Sequence, residues 1–188
     1  VDVAALADIP AIYRSGYNHC RSAAPYQPFK PPSDSLVPAF LPMGGKVIVR
    51  QTSSSHGPDG FITSNPETLA QGISRMRDKL RRDRDDLSLY RLDTDPEAEI
   101  LLIVYGVTSR AAKEALRSAR DRSCRLSLLI LQTLYPVPEK VLREELAKVS
   151  RVIVVEMNLG QYVREIERLS GATEIEFFGK MNGELISP

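Results

Sequence analysis

The sequence predicts a three-layer α/β domain, a mostly parallel β-sheet covered by helices on both faces, preceded by an extended proline-rich arm. Three observations predict it. From Leu87 onward, short apolar runs alternate with helical patterns. Strands separated by helices of about ten to fifteen residues specify parallel crossover units. Two of the runs, EILLIVY at 99–105 and LSLLIL at 126–131, are nearly unbroken, as strands buried on both faces should be. Residues 1–65 behave otherwise: prolines at 10, 25, 28, 31, 32, 38 and 42 fall too densely for helices or central strands.

Three segments follow: an arm over 1–65, a connecting helix over 66–86 and the α/β body over 87–188. The arm carries Tyr13, Tyr17, Tyr26, Phe29 and Phe40 among its prolines. A proline-rich stretch without aromatics reads as a free linker; with them, this one is expected to pack on its own body or on a partner. Lys46–Gln51, KVIVRQ, reads as a strand after the Gly44–Gly45 turn, and Thr52–Asn65 as a polar loop with turn chemistry at Pro58–Gly60. A helix starts at Pro66, with Asn65 as its cap. Its apolar face is Leu69, Ile73, Met76 and Leu80. The opposite face holds Arg75, Arg77, Asp78, Lys79, Arg81 and Arg82, with Asp83, Asp85 and Asp86 following. The mixed signs read as a solvated surface rather than a phosphate site.

In the body, Ser88–Leu92 and Glu99–Tyr105 are strands. Gly106 ends the second, and Thr108 or Ser109 is positioned to cap a helix to about Arg120. That helix buries the small residues Ala112, Ala115 and Ala119 together with Leu116. Leu126–Leu131 is the next strand. Pro136 and Pro138 introduce a helix whose stripe is Val141, Leu142, Leu146 and Val149. Strand Arg151–Val155, helix Gln161–Leu169 and strand Thr173–Phe178 complete the order.

Composition bounds the function. Apolar residues make up 43% and charged residues 26% of the chain, as in an ordinary soluble globular protein. A net charge of +1 gives no electrostatic case for nucleic acid or an anionic membrane. No run is long and apolar enough for a membrane span, and no leader pattern is read at the start. Cys20 and Cys124 match no metal or redox spacing, so a reducing, cytoplasmic setting is expected. The chain opens at Val1 rather than Met, as expected of a piece of a longer protein.

Ligands and partners meet open α/β sheets at the carboxyl ends of strands. Three such ends are legible: Gly106–Ser109, Gln132–Tyr135 and Glu156–Gln161. In the last, VVEMNLGQ at 154–161 runs a strand into Glu156, Asn158, Gly160 and Gln161. Two readings compete. Either the cluster presents its side chains outward beside a helix start, or Glu156 and Asn158 satisfy backbone groups of a tight turn. His56, in the polar loop SSSHGPDG, is a candidate contact to a ligand or partner, against an ordinary surface histidine. His19 beside Cys20 reads as incidental. GVTSR at 106–110 is neither a nucleotide P-loop nor a dinucleotide fingerprint, and no metal-ligand spacing occurs.

Three stretches resemble the carboxy-terminal half of the alpha subunit of 2-oxoacid:ferredoxin oxidoreductases, most like the 2-oxoglutarate type. They are PAFLPMGG at 38–45, TSSSHGPDGFITSNPE at 52–67 and VVEMNLGQ at 154–161. The last is similar to a Glu-x-Asn-x-Gly-Gln signature of that family. The loop departs from the family pattern at Ser53–Ser55 and Gly57. The resemblance implies a fold for 87–188 like the transketolase carboxy-terminal domain, a five-stranded mixed sheet with one antiparallel strand. It implies oxidative decarboxylation of a 2-oxoacid with coenzyme A by a holoenzyme holding thiamine diphosphate and iron–sulfur clusters. It implies as partners a beta subunit, the subunit's own amino-terminal pyrimidine-binding domain, and ferredoxin as electron acceptor. No catalytic, cofactor-binding or metal-ligating residue is expected on this chain, which alone is expected to be inert. Glu156, Asn158, Gly160 and Gln161 are expected to face a neighbouring domain or subunit, with His56 nearby. The alternatives are a transketolase or lipoyl-dependent 2-oxoacid dehydrogenase beta-chain domain, and a non-enzymatic interaction module.

Overall fold

The computed structural model describes residues 25–41 and 47–188. The chain divides into two compact units, Val1–Arg82 and Asp83–Pro188.

In the first unit, the described arm is held by its own chain. Phe29 N donates to Pro58 O at 3.1 Å, and Tyr26 Oη to Ala39 O at 2.9 Å. The expected strand at Lys46–Gln51 is a correction: 47–51 form no strand, and Ile48 is 86% exposed. Alternating apolar residues need a neighbouring strand to complete their hydrogen bonds, and among the described residues none pairs with them. Lys46, the Gly44–Gly45 turn, His19 and Cys20 lie outside the described residues. Helix α1, Pro66–Arg82, starts as the sequence dictates. Asn65 Oδ1 accepts from Thr68 N at 2.8 Å, and Asn65 Nδ2 donates to Glu67 Oε2 at 3.0 Å. Pro66 takes the first helical position, where its missing N–H costs nothing.

The second unit opens with one turn, α2 (Arg84–Leu87). Its sheet comprises β1 (Tyr90–Asp93), β2 (Ile100–Tyr105), β3 (Leu126–Leu131), β4 (Arg151–Glu156) and β5 (Glu174–Gly179), in the order β1-β3-β2-β4-β5. Only β1 runs antiparallel, pairing with β3 from Tyr90↔Leu131 to Asp93↔Leu128. The other pairs are parallel, with Ile100↔Leu126, Ile100↔Arg151 and Arg151↔Glu174 in register.

Alternation of side chains divides the core into two layers. Leu101, Ile103, Leu129, Leu131, Val152 and Val154 point to one face. There they meet Val141, Leu142 and Leu146 of α4 (Glu139–Leu146) and Val163 and Ile166 of α5 (Val163–Glu167). Leu102, Val104, Leu128 and Ile130 point to the other face, against Ala112 and Leu116 of α3 (Thr108–Asp121). Each such large side chain contributes roughly 1.5–3 kcal/mol by leaving water, which is why β2 and β3 read as nearly unbroken apolar runs.

Two local expectations are corrected. Neither Thr108 nor Ser109 caps α3: their hydroxyls donate back to Tyr105 O at 2.5 Å and Gly106 O at 2.7 Å. The helix expected over Gln161–Leu169 is only five residues long, because residues 157–162 are committed to a turn.

Candidate functional site

Strand β4 explains the polar cluster at its end. Val152, Val154 and Glu156 share the face that α5 covers, and period-two alternation carries Glu156 inward, where it is 1% exposed. A buried carboxylate persists only when its oxygens are hydrogen-bonded. Here Oε2 accepts from Tyr105 Oη at 2.7 Å, Asn158 Nδ2 at 2.8 Å and Tyr162 N at 2.9 Å. Oε1 accepts from Val163 N at 2.8 Å. The carboxylate therefore satisfies backbone N–H groups at the start of α5, which have no partner within the helix.

Asn158 fixes the turn itself. Its Oδ1 accepts from Gly160 N at 2.8 Å and Gln161 N at 3.0 Å, and its Nδ2 also donates to Tyr105 Oη at 2.7 Å. Gly160 sits at φ +85, a backbone conformation that favours glycine, and a Cβ there would lie 3.2 Å from Val163 Cγ1, which would have to give way. Tyr162 packs edge-on against Tyr105 with centroids 5.6 Å apart, and its hydroxyl donates to Leu134 O at 3.2 Å.

The electrostatics follow from these contacts. Burial acts to raise the Glu156 carboxyl. The hydrogen bonds from Tyr105, Tyr162 N, Asn158 and Val163 N outweigh it, so the group titrates below its ordinary value. Burial first, then the bond to Glu156, pushes the Tyr105 phenol up to about 12. Burial also raises Tyr162. The result is an ionised carboxylate held by neutral phenol and amide donors. With both oxygens engaged it is a loop anchor, not a base presented to a substrate.

The four residues expected to face a neighbouring domain or subunit are unequally open to one. Glu156 and Gly160 are buried and Asn158 is half-buried, whereas Gln161 is exposed and Leu159 is 76% exposed. Of the two readings of the motif, Glu156 and Asn158 take the one in which they satisfy a tight turn. Tyr105 and Tyr162 escaped the sequence reading. The available signal was a tyrosine ending β2, the strand beside β4.

His56 lies in the first unit. A short bridge to Ile62, with Gly57 N donating to Phe61 O at 2.9 Å, folds its loop into a small hairpin. Its ring stacks on Phe29 with centroids 3.7 Å apart. Nδ1 lies 3.1 Å from Gly57 O and donates to that carbonyl.

Among the described residues, no group of three or more His, Cys, Asp or Glu is placed to hold a metal ion, and Cys124 is an exposed free thiol. These residues do not fit an iron–sulfur cluster, which is held by a set of cysteine thiolates. No described helix is long and apolar enough to cross a membrane.

Residues 98–188 match the family described as pyruvate:ferredoxin oxidoreductase core domain II. Relatives extend the likeness along the chain. The 2-oxoglutarate synthase subunit KorA of Methanothermobacter thermautotrophicus is 33% identical over 87% of this chain and 44% of its own length. That of Methanocaldococcus jannaschii is 34% identical over 84% of this chain and 42% of its own. The ketoisovalerate oxidoreductase subunit VorB of Methanothermobacter thermautotrophicus is 33% identical over 59% and 32%.

The chain thus spans less than half the length of the curated relatives it matches. The solved 2-oxoglutarate:ferredoxin oxidoreductase of Magnetococcus marinus, with 2-oxoglutarate, coenzyme A and succinyl-CoA bound, has a TM-score of 0.70 at 19% identity. The match covers 90% of this chain and 30% of that one, and at that identity it establishes a shared fold. The resemblance read from the sequence, to the alpha subunit of 2-oxoacid:ferredoxin oxidoreductases with the 2-oxoglutarate type foremost, is what these matches show.

Proposed function

We propose that this chain is the carboxy-terminal half of the alpha subunit of a 2-oxoacid:ferredoxin oxidoreductase. That enzyme converts a 2-oxoacid, 2-oxoglutarate by this reading, with coenzyme A to acyl-CoA, carbon dioxide and reduced ferredoxin in the cytoplasm. One observation carries the reading: the similarity to 2-oxoglutarate synthase subunits runs through both units of the chain, not only the matched core domain.

In this scheme thiamine diphosphate and the iron–sulfur clusters reside on other parts of the holoenzyme. Residues 1–65 serve as an interdomain arm, 66–86 as a connecting helix and 87–188 as an assembly domain. The chain alone is inert. The turn held by Glu156, Asn158 and Gly160 presents Gln161 to a neighbouring domain or the beta subunit, and His56 is a separate candidate contact on the first unit.

The native protein, tagged at its own gene and purified without oxygen, tests this. Reduction of a viologen dye that requires both a 2-oxoacid and coenzyme A is expected, fastest with 2-oxoglutarate. A clean complex without that dependence, with thiamine diphosphate supplied, refutes the enzyme reading.

A further inference from the structure

Within the first unit, residues between Gln27 and Met76 line a cleft of about 680 Å³. Small-ligand sites occupy roughly 300–1,000 Å³, so its size suits a small molecule. Its charge is one-sided. Lys30 and Arg75 line it and no carboxylate does. Neither cation has a carboxylate partner among the described residues, whereas Arg117, Arg120 and Arg168 each pair with one. Arg75 is held in place, with Nη1 donating to Leu36 O at 3.0 Å. Unneutralised cations on a concave wall attract anions.

The wall also carries hydroxyls and apolar surface. Ser53, Ser54 and Ser55 line it in succession, and their hydroxyls make no protein hydrogen bond among the described residues. Phe29, stacked on His56, lies alongside Leu69, Ile73 and Met76 of α1. Ile73 is 63% and Met76 47% exposed, an apolar strip that α1 leaves to solvent in this unit.

We propose that this cleft binds an amphipathic organic anion, its carboxylate or phosphate head held by Lys30, Arg75 and the serine hydroxyls and its apolar body laid along α1. The inference stands apart from the enzyme reading and survives a negative dye assay. Calorimetric titration of the complete native protein with octanoate, octyl phosphate, octylammonium and inorganic phosphate tests it. Octanoate or octyl phosphate is expected to saturate one site, the tighter of the two naming the head group. Octylammonium and inorganic phosphate, each lacking one half of the chemistry, are expected to bind at least about tenfold more weakly.

Lys30→Gln is expected to weaken the anion about fivefold. Ile73→Glu, at an exposed position that tolerates substitution, is expected to abolish binding by placing a carboxylate in the cleft. Absence of saturable binding, equal binding of octylammonium, or unchanged binding by both variants overturns the proposal. So does a Met76→Cys thiol that resists maleimide in the native protein, since a protein surface then covers the cleft.

Discussion

Replacing Glu156 by Gln keeps the shape of the side chain and removes its charge, which isolates what the carboxylate does. If the amide oxygen takes the place of Oε2, it still accepts from Tyr105, Asn158 and Tyr162 N. The amide nitrogen then faces Val163 N, a donor 2.8 Å from the position of Oε1. One buried N–H loses its acceptor, at about 1–3 kcal/mol, and three charge-assisted bonds become neutral ones, each weaker by about 1 kcal/mol. These terms overlap, so a net loss of about 3 kcal/mol is expected, or roughly 10–20 °C in the melting of a unit this size.

Acid sharpens the test. The folded Glu156 titrates below its ordinary value of 4.5. Its stabilisation is therefore complete above that value and lost as pH falls through the folded pKa. Gln cannot titrate, so the gap between parent and E156Q should close on acidification. Melting followed by circular dichroism from about pH 7 down to about pH 3 measures both effects. A variant melting within about 2 °C of the parent near neutrality, or a gap that acid leaves unchanged, refutes the anchoring argument.

Tyr105→Phe removes one donor to the carboxylate and is expected to cost about 1–2 kcal/mol by denaturant melting. In the parent, ultraviolet titration should show a tyrosine that ionises near 12 rather than near 10. Because its folded pKa is raised, its share of stability is present below about 10 and lost above it. Gly179→Ala would place a Cβ 2.2 Å from Phe177 Cζ and 2.9 Å from Asn158 O. It is expected to destabilise by about 1–3 kcal/mol in denaturant; a loss below about 0.5 kcal/mol, as at an ordinary surface position, refutes the packing argument. Asn65→Ala removes the acceptor for Thr68 N and is expected to cost about 1 kcal/mol locally. Since no residue of α1 is buried, faster amide exchange in its first turn should report the loss, with little change in the melting of residues 83–188.

The sequence by itself determined the elements whose signal is local. Leu126–Leu131 is a strand over the span its nearly continuous apolar run predicts, because a stretch buried on both faces needs mostly apolar residues. Asn65 and Pro66 announce α1 because cap chemistry acts within a turn. Turn-and-cap signals misled where a competing partner lay close by: the hydroxyls of Thr108 and Ser109 found the preceding carbonyls instead of the helix N–H groups.

The tertiary structure decided what depends on distant neighbours. It chose the strand order and turned β1 antiparallel at the edge. It left 47–51 without a strand partner among the described residues. At the candidate site, VVEMNLGQ marked the place but not the sense of its side chains. Tyr105 arrives from 51 positions away to bond Glu156, and no local pattern encodes that meeting. A buried charge is tolerated only where several donors converge on it, and convergence is set by which strands lie side by side.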